Sequence, residues 1–254
     1  MRPSLGVVLI TRDAAHLLPR TLGAVSFADS ILVVDAGSTD GTREVAEKLG
    51  ARVVVQPEWK GFGHQKSYAL SLAEDDWILV LDADEVVDQE LASEIRRVTA
   101  ARGEVSGYSM LRVNFFGPER VRFGHSRPSY VERLFQKGKG RISDHRVHER
   151  VLIDGPVERL KGELHHYTSE SIAHRVRKND EYAAVAAEEW FREGRRASFL
   201  QLLFVPPLSL LRDLMLKGGI LEGTTGVVLA TLGAFYSFSK HAKLWEMERR
   251  KGDS

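Results

Sequence analysis

The first hundred residues repeat one alternation: a short, uninterrupted apolar run, then a segment with helical spacing. The apolar runs are Leu5–Thr11 (LGVVLIT), Ser30–Asp35 (SILVVD), Arg52–Val55 and 77–81 (WILVL). The helical segments are 14–25, 41–49, 63–73 and 88–101, the second with N-cap chemistry in Thr39-Asp40-Gly41. Strands that are apolar along their whole length belong in a sheet covered on both faces. Strand–helix repetition with short links predicts an α/β fold with a mostly parallel sheet flanked by helices.

The pattern changes further along. From 104 to 167, runs such as Gly107–Phe116 and 130–136 interleave polar positions and no helical period is evident, which predicts a mixed sheet region completing the same domain. From 169 onward the spacing is helical: a long polar helix or helix pair over 169–196, an apolar segment over 199–216 broken at Pro206-Pro207, and a last helix over 223–250. The reading is thus a domain at 1–168 and a helical region at 169–254. The 254 residues carry 36 Lys and Arg against 35 Asp and Glu, a net charge of +1. That balance argues against a surface built for nucleic acid. With no cysteine there is no disulfide, thiolate metal site or cysteine nucleophile. The opening apolar run is too short for a secretory core. The two longest late apolar stretches, 198–211 and 226–238, have the length of a buried or interfacial segment and fall short of the about 20 residues that a bilayer span needs.

In an open parallel sheet, ligands bind beyond the carboxyl ends of the strands. Thr11-Arg12-Asp13, Asp35 to Gly41, and Asp82-Ala83-Asp84-Glu85 stand there. So many acids on one edge repel one another unless a cation joins them. Neither G-x-G-x-x-G after the first strand nor G-x-x-x-x-G-K-S/T occurs, so the dinucleotide and P-loop ways of holding phosphate are disfavoured. A divalent cation, Mg²⁺ or Mn²⁺, is the remaining phosphate-holding device, and one or two carboxylates suffice to seat it. Asp82 and Asp84 are two apart at a strand end and point to the same side in extended geometry.

The segments VVLITRD, ILVVDAGSTDGT, GFGHQKSYAL and WILVLDADE, in that order and spacing, resemble the nucleotide-sugar domain of family 2 glycosyltransferases, which have the GT-A fold. WKGFGHQK at 59–66, then RLFQKG and VHE, narrow the likeness to the lipopolysaccharide inner-core β-1,4-glucosyltransferase subfamily over nearly the whole chain. The chain departs from the pattern at Arg12-Asp13, where Asn-Glu is usual, and at Ser67, where Asn is usual. The resemblance implies an inverting, metal-dependent transfer of a hexose from UDP-glucose to a lipopolysaccharide core or related glycolipid acceptor. It implies that Thr11 and Asp35 contact uracil and ribose, with Asp13, Lys66, Asp82 and Ala83 in the same nucleotide-sugar pocket. Asp84 would ligate the metal, and a late histidine, His166 of the His165-His166 pair, would complete the site. Glu149 of Val147-His148-Glu149 would be the base, with Asp144 in reserve. Because an arginine fork suits phosphate and carboxylate, Arg127, Arg133 and Arg141 are candidate acceptor contacts.

The C-terminal helices carry apolar faces bordered by cations. Leu208, Leu211 and Met215 share one face, and Arg192, Arg195, Arg196, Lys240, Lys243, Arg249 and Arg250 flank the segment. Such helices suit an anionic leaflet, with a peripheral location on the cytoplasmic face of the inner membrane. Two other readings compete. A sugar-nucleotide-forming nucleotidyltransferase would need a glycine-rich basic loop after strand one, which is absent. A non-catalytic membrane-associated nucleotide-sugar-binding module would not need Asp82, Asp84 and Glu149.

Overall fold

A computed structural model of the chain describes residues 2–101, 104–143, 149–169 and 171–252. In chain order the elements of the first 170 residues are β1 (Leu5–Thr11), α1 (Leu18–Ala24), β2 (Ser30–Asp35), α2 (Thr42–Lys48), β3 (Arg52–Val55), α3 (Phe62–Ser71), β4 (Trp77–Asp82), β5 (Glu85–Val87), α4 (Gln89–Ala100), β6 (Gly107–Phe116), β7 (Glu119–Arg120), β8 (Ser129–Gln136), β9 (Gly140–Ile142), β10 (Val151–Ile153) and β11 (Val157–Ser169). The strands expected from the apolar runs are all present. β1 pairs in parallel with β2 and with β4, and β2 pairs in parallel with β3. Beyond β4 the sheet turns antiparallel through β8 and β6, giving the order β3-β2-β1-β4-β8-β6-β11-β5 with β7 beside β6. β9 and β10 form a separate hairpin.

Alternation within the buried strands explains the two cores. Leu5, Val7 and Leu9 of β1 join Val33, Leu79 and Leu81 on one face, under Leu18, Leu22, Leu91 and Ile95 from α1 and α4. Val8 and Ile10 join Leu32, Val34, Ile78 and Val80 on the other, under Ala69 from α3. Each apolar residue of β1 therefore has a destination, which is why polarity enters the strand only at its last residue, Thr11. The cap of α2 differs slightly from expectation. Gly41 is the N-cap at φ 87°, a left-handed conformation that glycine adopts without strain, and the Asp40 carboxylate accepts the Thr42 N–H at 3.0 Å in place of a side-chain cap.

The chain divides into two compact units, residues 1–113 with 129–166, and 114–128 with 167–254. The expected boundary at 168 falls close to the second of these limits, but residues 114–128 join the C-terminal unit. That unit contains α5 (Ile172–Arg192), α6 (Phe199–Leu211), one turn of π-helix over Arg212–Leu216, a 3₁₀ turn over Gly219–Glu222 and α7 (Gly223–Gly252). Asn179 of α5 donates to the Leu232 carbonyl at 3.1 Å, and alanines 183, 187, 230 and 234 are buried. The expected break at Pro206-Pro207 does not occur. Helix α6 runs through both prolines, giving up their N–H bonds, and opens on a Ser198–Gln201 capping box. Phe199–Leu216 and Gly219–Arg250 are each long and apolar enough to cross a membrane by length and composition, longer than the stretches 198–211 and 226–238 read from the sequence. None of the residues of α6 is buried.

Candidate active site

Parallel register sets the carboxyl edge. Thr11 lies opposite Asp35, and Ile10 opposite Asp82, so the ends of β2, β1 and β4 stand in a row. The loop after β2 is built around Asp35, which is fully buried. Its Oδ2 accepts the N–H groups of Gly37 at 3.0 Å and Ser38 at 2.9 Å, and its Oδ1 accepts the hydroxyls of Thr11 at 3.3 Å and Ser38. This is an Asx turn that takes up the whole carboxylate. Thr11 is 4% exposed. Both side chains, expected to contact uracil and ribose, thus shape the wall of the site from inside. Asp13 is exposed at φ 48°; its Oδ1 accepts the Thr39 N–H at 2.8 Å and its own N–H donates to the Ser38 hydroxyl, also at 2.8 Å, tying the ends of β1 and β2 together.

The chemistry-bearing groups meet at Asp82. Lys66, on the buried side of α3 and 5% exposed, places its Nζ 2.6 Å from Asp82 Oδ1 and 2.9 Å from Glu149 Oε1. On the far side, Arg133 of β8 donates from Nη2 to Asp82 Oδ2 at 3.0 Å and to Glu85 Oε1 at 2.7 Å, and from Nε to Glu85 Oε2 at 3.1 Å. Glu85 is fully buried and also accepts the Asp82 N–H at 3.1 Å; Arg112 Nη1 lies 3.8 Å from it. Burial alone would raise the Asp82 carboxyl, yet Lys66, Arg133 and His166 hold it far below the usual carboxylate range. Burial likewise opposes the Lys66 charge, but Asp82 and Glu149, against Arg133, hold the ammonium above its ordinary value. A fork-on-fork Arg133–Glu85 contact and a shared lysine make a rigid charged frame.

Ala83, whose carbonyl accepts the Thr21 hydroxyl at 2.6 Å, carries the chain from Asp82 to Asp84. β11 pairs antiparallel with β5 so that His166 lies opposite Glu85. That register brings His166 Nε2 within 3.3 Å of Asp84 Oδ2. Two ligands held about 2.1 Å from one ion at right angles lie about 3.0 Å apart, so this pair fits two positions on a Mg²⁺- or Mn²⁺-sized cation, and the imidazole favours Mn²⁺. The adjacent His165 points to the opposite face, where it groups with Asp88 and Glu163. The Asp88 carboxylate there already caps α4 by accepting the Leu91 N–H at 2.7 Å.

The three expected acceptor arginines separate. Arg133 is 6% exposed and engaged with Glu85 and Asp82, so its guanidinium offers no open fork to an acceptor and acts as a support under the aspartates instead. Arg141 is exposed on β9, opposite Leu152. Arg127 falls in the second unit, in a turn where its N–H donates to the Gly124 carbonyl. Asp144 lies outside the described residues. Sequence reasoning gave no role to Glu85, although its partner on the same strand face, Val87, is apolar and buried and so signals that Glu85 faces inward. It also passed over Gln65, fully buried beside Lys66, whose Nε2 donates to the Gln56 carbonyl while Oε1 has no hydrogen-bond partner among the described residues.

Residues 6–152 match the family model described as Glycosyl transferase family 2. Over 259 residues the chain is 28% identical to the lipopolysaccharide core biosynthesis glycosyltransferase LpsC of Rhizobium meliloti, covering 97% of this chain and 94% of that one. It is 29% identical over 252 residues to an uncharacterized glycosyltransferase of Rickettsia typhi, covering 94% and 86%. Among solved structures, the mannosyltransferase PcManGT from Pyrobaculum calidifontis, in complex with GDP-Man and Mn²⁺, has a TM-score of 0.53 at 16% identity over 97% of this chain and 88% of that one, a likeness of fold. With the strand order, the aspartates at the carboxyl edge and a family match across more than half its length, the chain belongs to glycosyl transferase family 2, with a GT-A-type fold.

Proposed function

We propose that the chain transfers a hexose, with inversion, from UDP-glucose to a lipopolysaccharide-type glycolipid at a membrane surface. The observation that carries this reading is the Lys66 bridge, which fastens Glu149 within one side chain of Asp82. Glu149 Oε1 takes the ammonium, and Oε2 is the oxygen that would accept the proton of the attacking hydroxyl. The acceptor oxygen bonds to the anomeric carbon as the bond to the diphosphate breaks on the opposite face. Asp82 and Lys66 face the donor, with Asp13 and the loop shaped by Thr11 and Asp35 around the nucleoside. Asp84 and His166 would hold a divalent cation, which as a Lewis acid neutralises charge on the departing diphosphate.

Membrane docking is part of the proposal. Exposed apolar residues of the second unit, among them Phe199 at 75%, Leu208 at 60% and Leu216 at 84%, make a face that water does not favour. A location on the cytoplasmic face of the inner membrane, with an anionic leaflet beneath, suits that face and its flanking cations.

The test uses the whole chain with Mn²⁺ and a panel of nucleotide sugars, following release of nucleoside diphosphate in the absence of acceptor. Slow release of UDP from UDP-glucose above all others is the expected result; thermal stabilisation by a donor with no release of nucleoside diphosphate would favour a non-catalytic binding module. Glu149→Gln should lower transfer by about 10²–10⁴-fold, the usual contribution of a general base, with donor affinity kept. Near-normal turnover would remove Glu149 from the mechanism.

A further inference from the structure

The two side chains expected to reach the nucleoside are spent inside the chain. Thr11 is buried, and the buried Asp35 carboxylate is taken up by the Gly37 and Ser38 N–H groups and by two hydroxyls. The neighbouring loop, 56–61, offers something else. It follows β3 at the same carboxyl edge, where ligands bind in sheets of this kind. The loop is fastened to the one after β2: the Gln56 N–H donates to the Asp35 carbonyl at 2.8 Å, and a Cβ added to Gly37 would lie 3.8 Å from the Pro57 Cβ. The fully buried Gln65 amide donates to the Gln56 carbonyl, also at 2.8 Å. Pro57 fixes its own φ, and Gly61, at φ 108°, turns the chain into α3 in a conformation that glycine adopts without strain.

Trp59 stands in this braced loop and is 40% exposed. Its ring meets Phe62 with 4.8 Å between centroids and 88° between planes, an edge contact that covers at most one face of the indole. Phe62 in turn packs against the core cluster that holds Val8, Ile10 and Val34, so the indole rests on a fixed base. Phe62 and Lys66 are four apart on α3 and are neighbours on one helix face. The Lys66 ammonium lies 2.6 Å from Asp82. The indole is thus placed between the loop of Asp35 and the helical turn that reaches Asp82. Tyr130, another exposed aromatic of the first unit, already has the Arg159 guanidinium 4.4 Å over its ring. A large apolar ring left in water at a ligand-binding edge, on a loop with little freedom to move, is a preorganised surface for a flat partner.

We infer that the indole of Trp59 is the platform on which the nucleobase of the donor stacks. The inference rests on the proposed nucleotide-sugar chemistry and deepens it by giving the base a contact residue. Stacking needs a π face and no hydrogen-bond partner, so it suits an edge where Thr11 and Asp35 are already engaged with the backbone and with each other. A base on an aromatic platform gains roughly 5- to 150-fold in affinity.

The experiment titrates UDP, UDP-glucose and inorganic pyrophosphate, each with Mg²⁺, into the full chain and into Trp59→Phe and Trp59→Leu, reading heat and tryptophan fluorescence together. Trp77 is buried, and Trp190 and Trp245 lie in the second unit, so quenching that disappears in Trp59→Phe belongs to Trp59. The platform predicts that UDP quenches the parent and that Trp59→Phe, which keeps a ring, loses the quenching but binds UDP within about threefold of the parent. Trp59→Leu should weaken UDP at least about fivefold and leave pyrophosphate as it was. Both variants should unfold within about 2 °C of the parent, as surface changes do. If Trp59→Leu unfolds earlier, Trp59→Phe decides, and UDP quenching that persists there overturns the platform. Equal weakening of UDP and pyrophosphate makes Trp59 a support of the loop and overturns the assignment. So does unchanged UDP binding with weakened UDP-glucose, which would put the sugar ring on the indole. Parent-like binding of every ligand by Trp59→Leu overturns the platform and leaves the transfer reading standing. A parent that binds neither UDP nor UDP-glucose removes the nucleotide-sugar reading itself, and the platform with it.

Discussion

Replacing Arg133 with methionine should unfold the frame beneath the aspartates. The side chain is 6% exposed and delivers two hydrogen bonds to Glu85, at 2.7 and 3.1 Å, and one to Asp82 at 3.0 Å. Methionine fills much of the volume and none of the charge. Glu85 would stay fully buried with Arg112 at 3.8 Å as its remaining cation. Removing one partner of a buried pair costs about 3–5 kcal/mol, against a whole-chain stability of about 5–15 kcal/mol. At about 2–4 °C per kcal/mol, the midpoint should drop by roughly 6–20 °C. Neutralising the stranded acid in the double variant Arg133→Met/Glu85→Gln should recover a large part of this, because glutamine keeps an oxygen for the Asp82 N–H without the charge. Thermal and urea unfolding of the parent, both singles and the double close a cycle whose coupling should reach the top of the usual range of about 0.5–3 kcal/mol. A single variant within about 1 kcal/mol of the parent, the typical cost of any point substitution, would refute the buried-pair argument. So would a double variant no more stable than Arg133→Met.

Two further outcomes follow from the same frame. The Lys66 ammonium is held above its ordinary value of 10.5 by Asp82 and Glu149, against burial and Arg133. A raised folded value means that its contribution is fully present below pH 10.5 and is lost as pH rises through the folded value, so Lys66→Met should unfold more easily at neutral pH and show a shallower alkaline decline; parallel declines in parent and variant would count against the pairing. Mn²⁺ at about a hundred times its dissociation constant should stabilise the parent by about 2.7 kcal/mol. His166→Gln and Asp84→Asn should each blunt that gain, whereas His165→Gln should not, and an equal loss from His165→Gln would move the metal to the Asp88–Glu163–His165 group.

The parts of the molecule that local pattern specifies were readable before any coordinates. An apolar run with no charged position has one home, a strand covered on both faces, and Leu5–Thr11 with all seven residues buried is that case. Asp82 and Asp84 are legible as a pair because residues two apart in the chain stay close in space. Glu85 and Arg133 were not matched, because their contact joins residues 48 apart, and no periodicity links a strand start to a strand interior across a helix and a hairpin. Pro206-Pro207 misled for a different reason. Proline breaks helices when the lost bonds and the steric clash outweigh the rest, and α6, with nothing of its own packed inside the fold, gave no sequence signal of what holds it together.

Like-charge crowding at the carboxyl edge was visible as a cost, and its resolution has two layers. Asp82, Glu85 and Glu149 are matched inside the chain by Lys66 and Arg133, with Arg112 near by. Those contacts fix the inner carboxylates in place without any ion. Asp84 stands outside that frame against His166. In the proposed reaction a cation that arrives with a diphosphate would meet Asp84 and His166 at the outer edge, while the inner carboxylates keep the geometry rigid. In that reading, internal counter-charges that stay in place would let the outer pair take and release a metal–diphosphate without the fold having to reorganise, which is what repeated turnover at a strand edge requires.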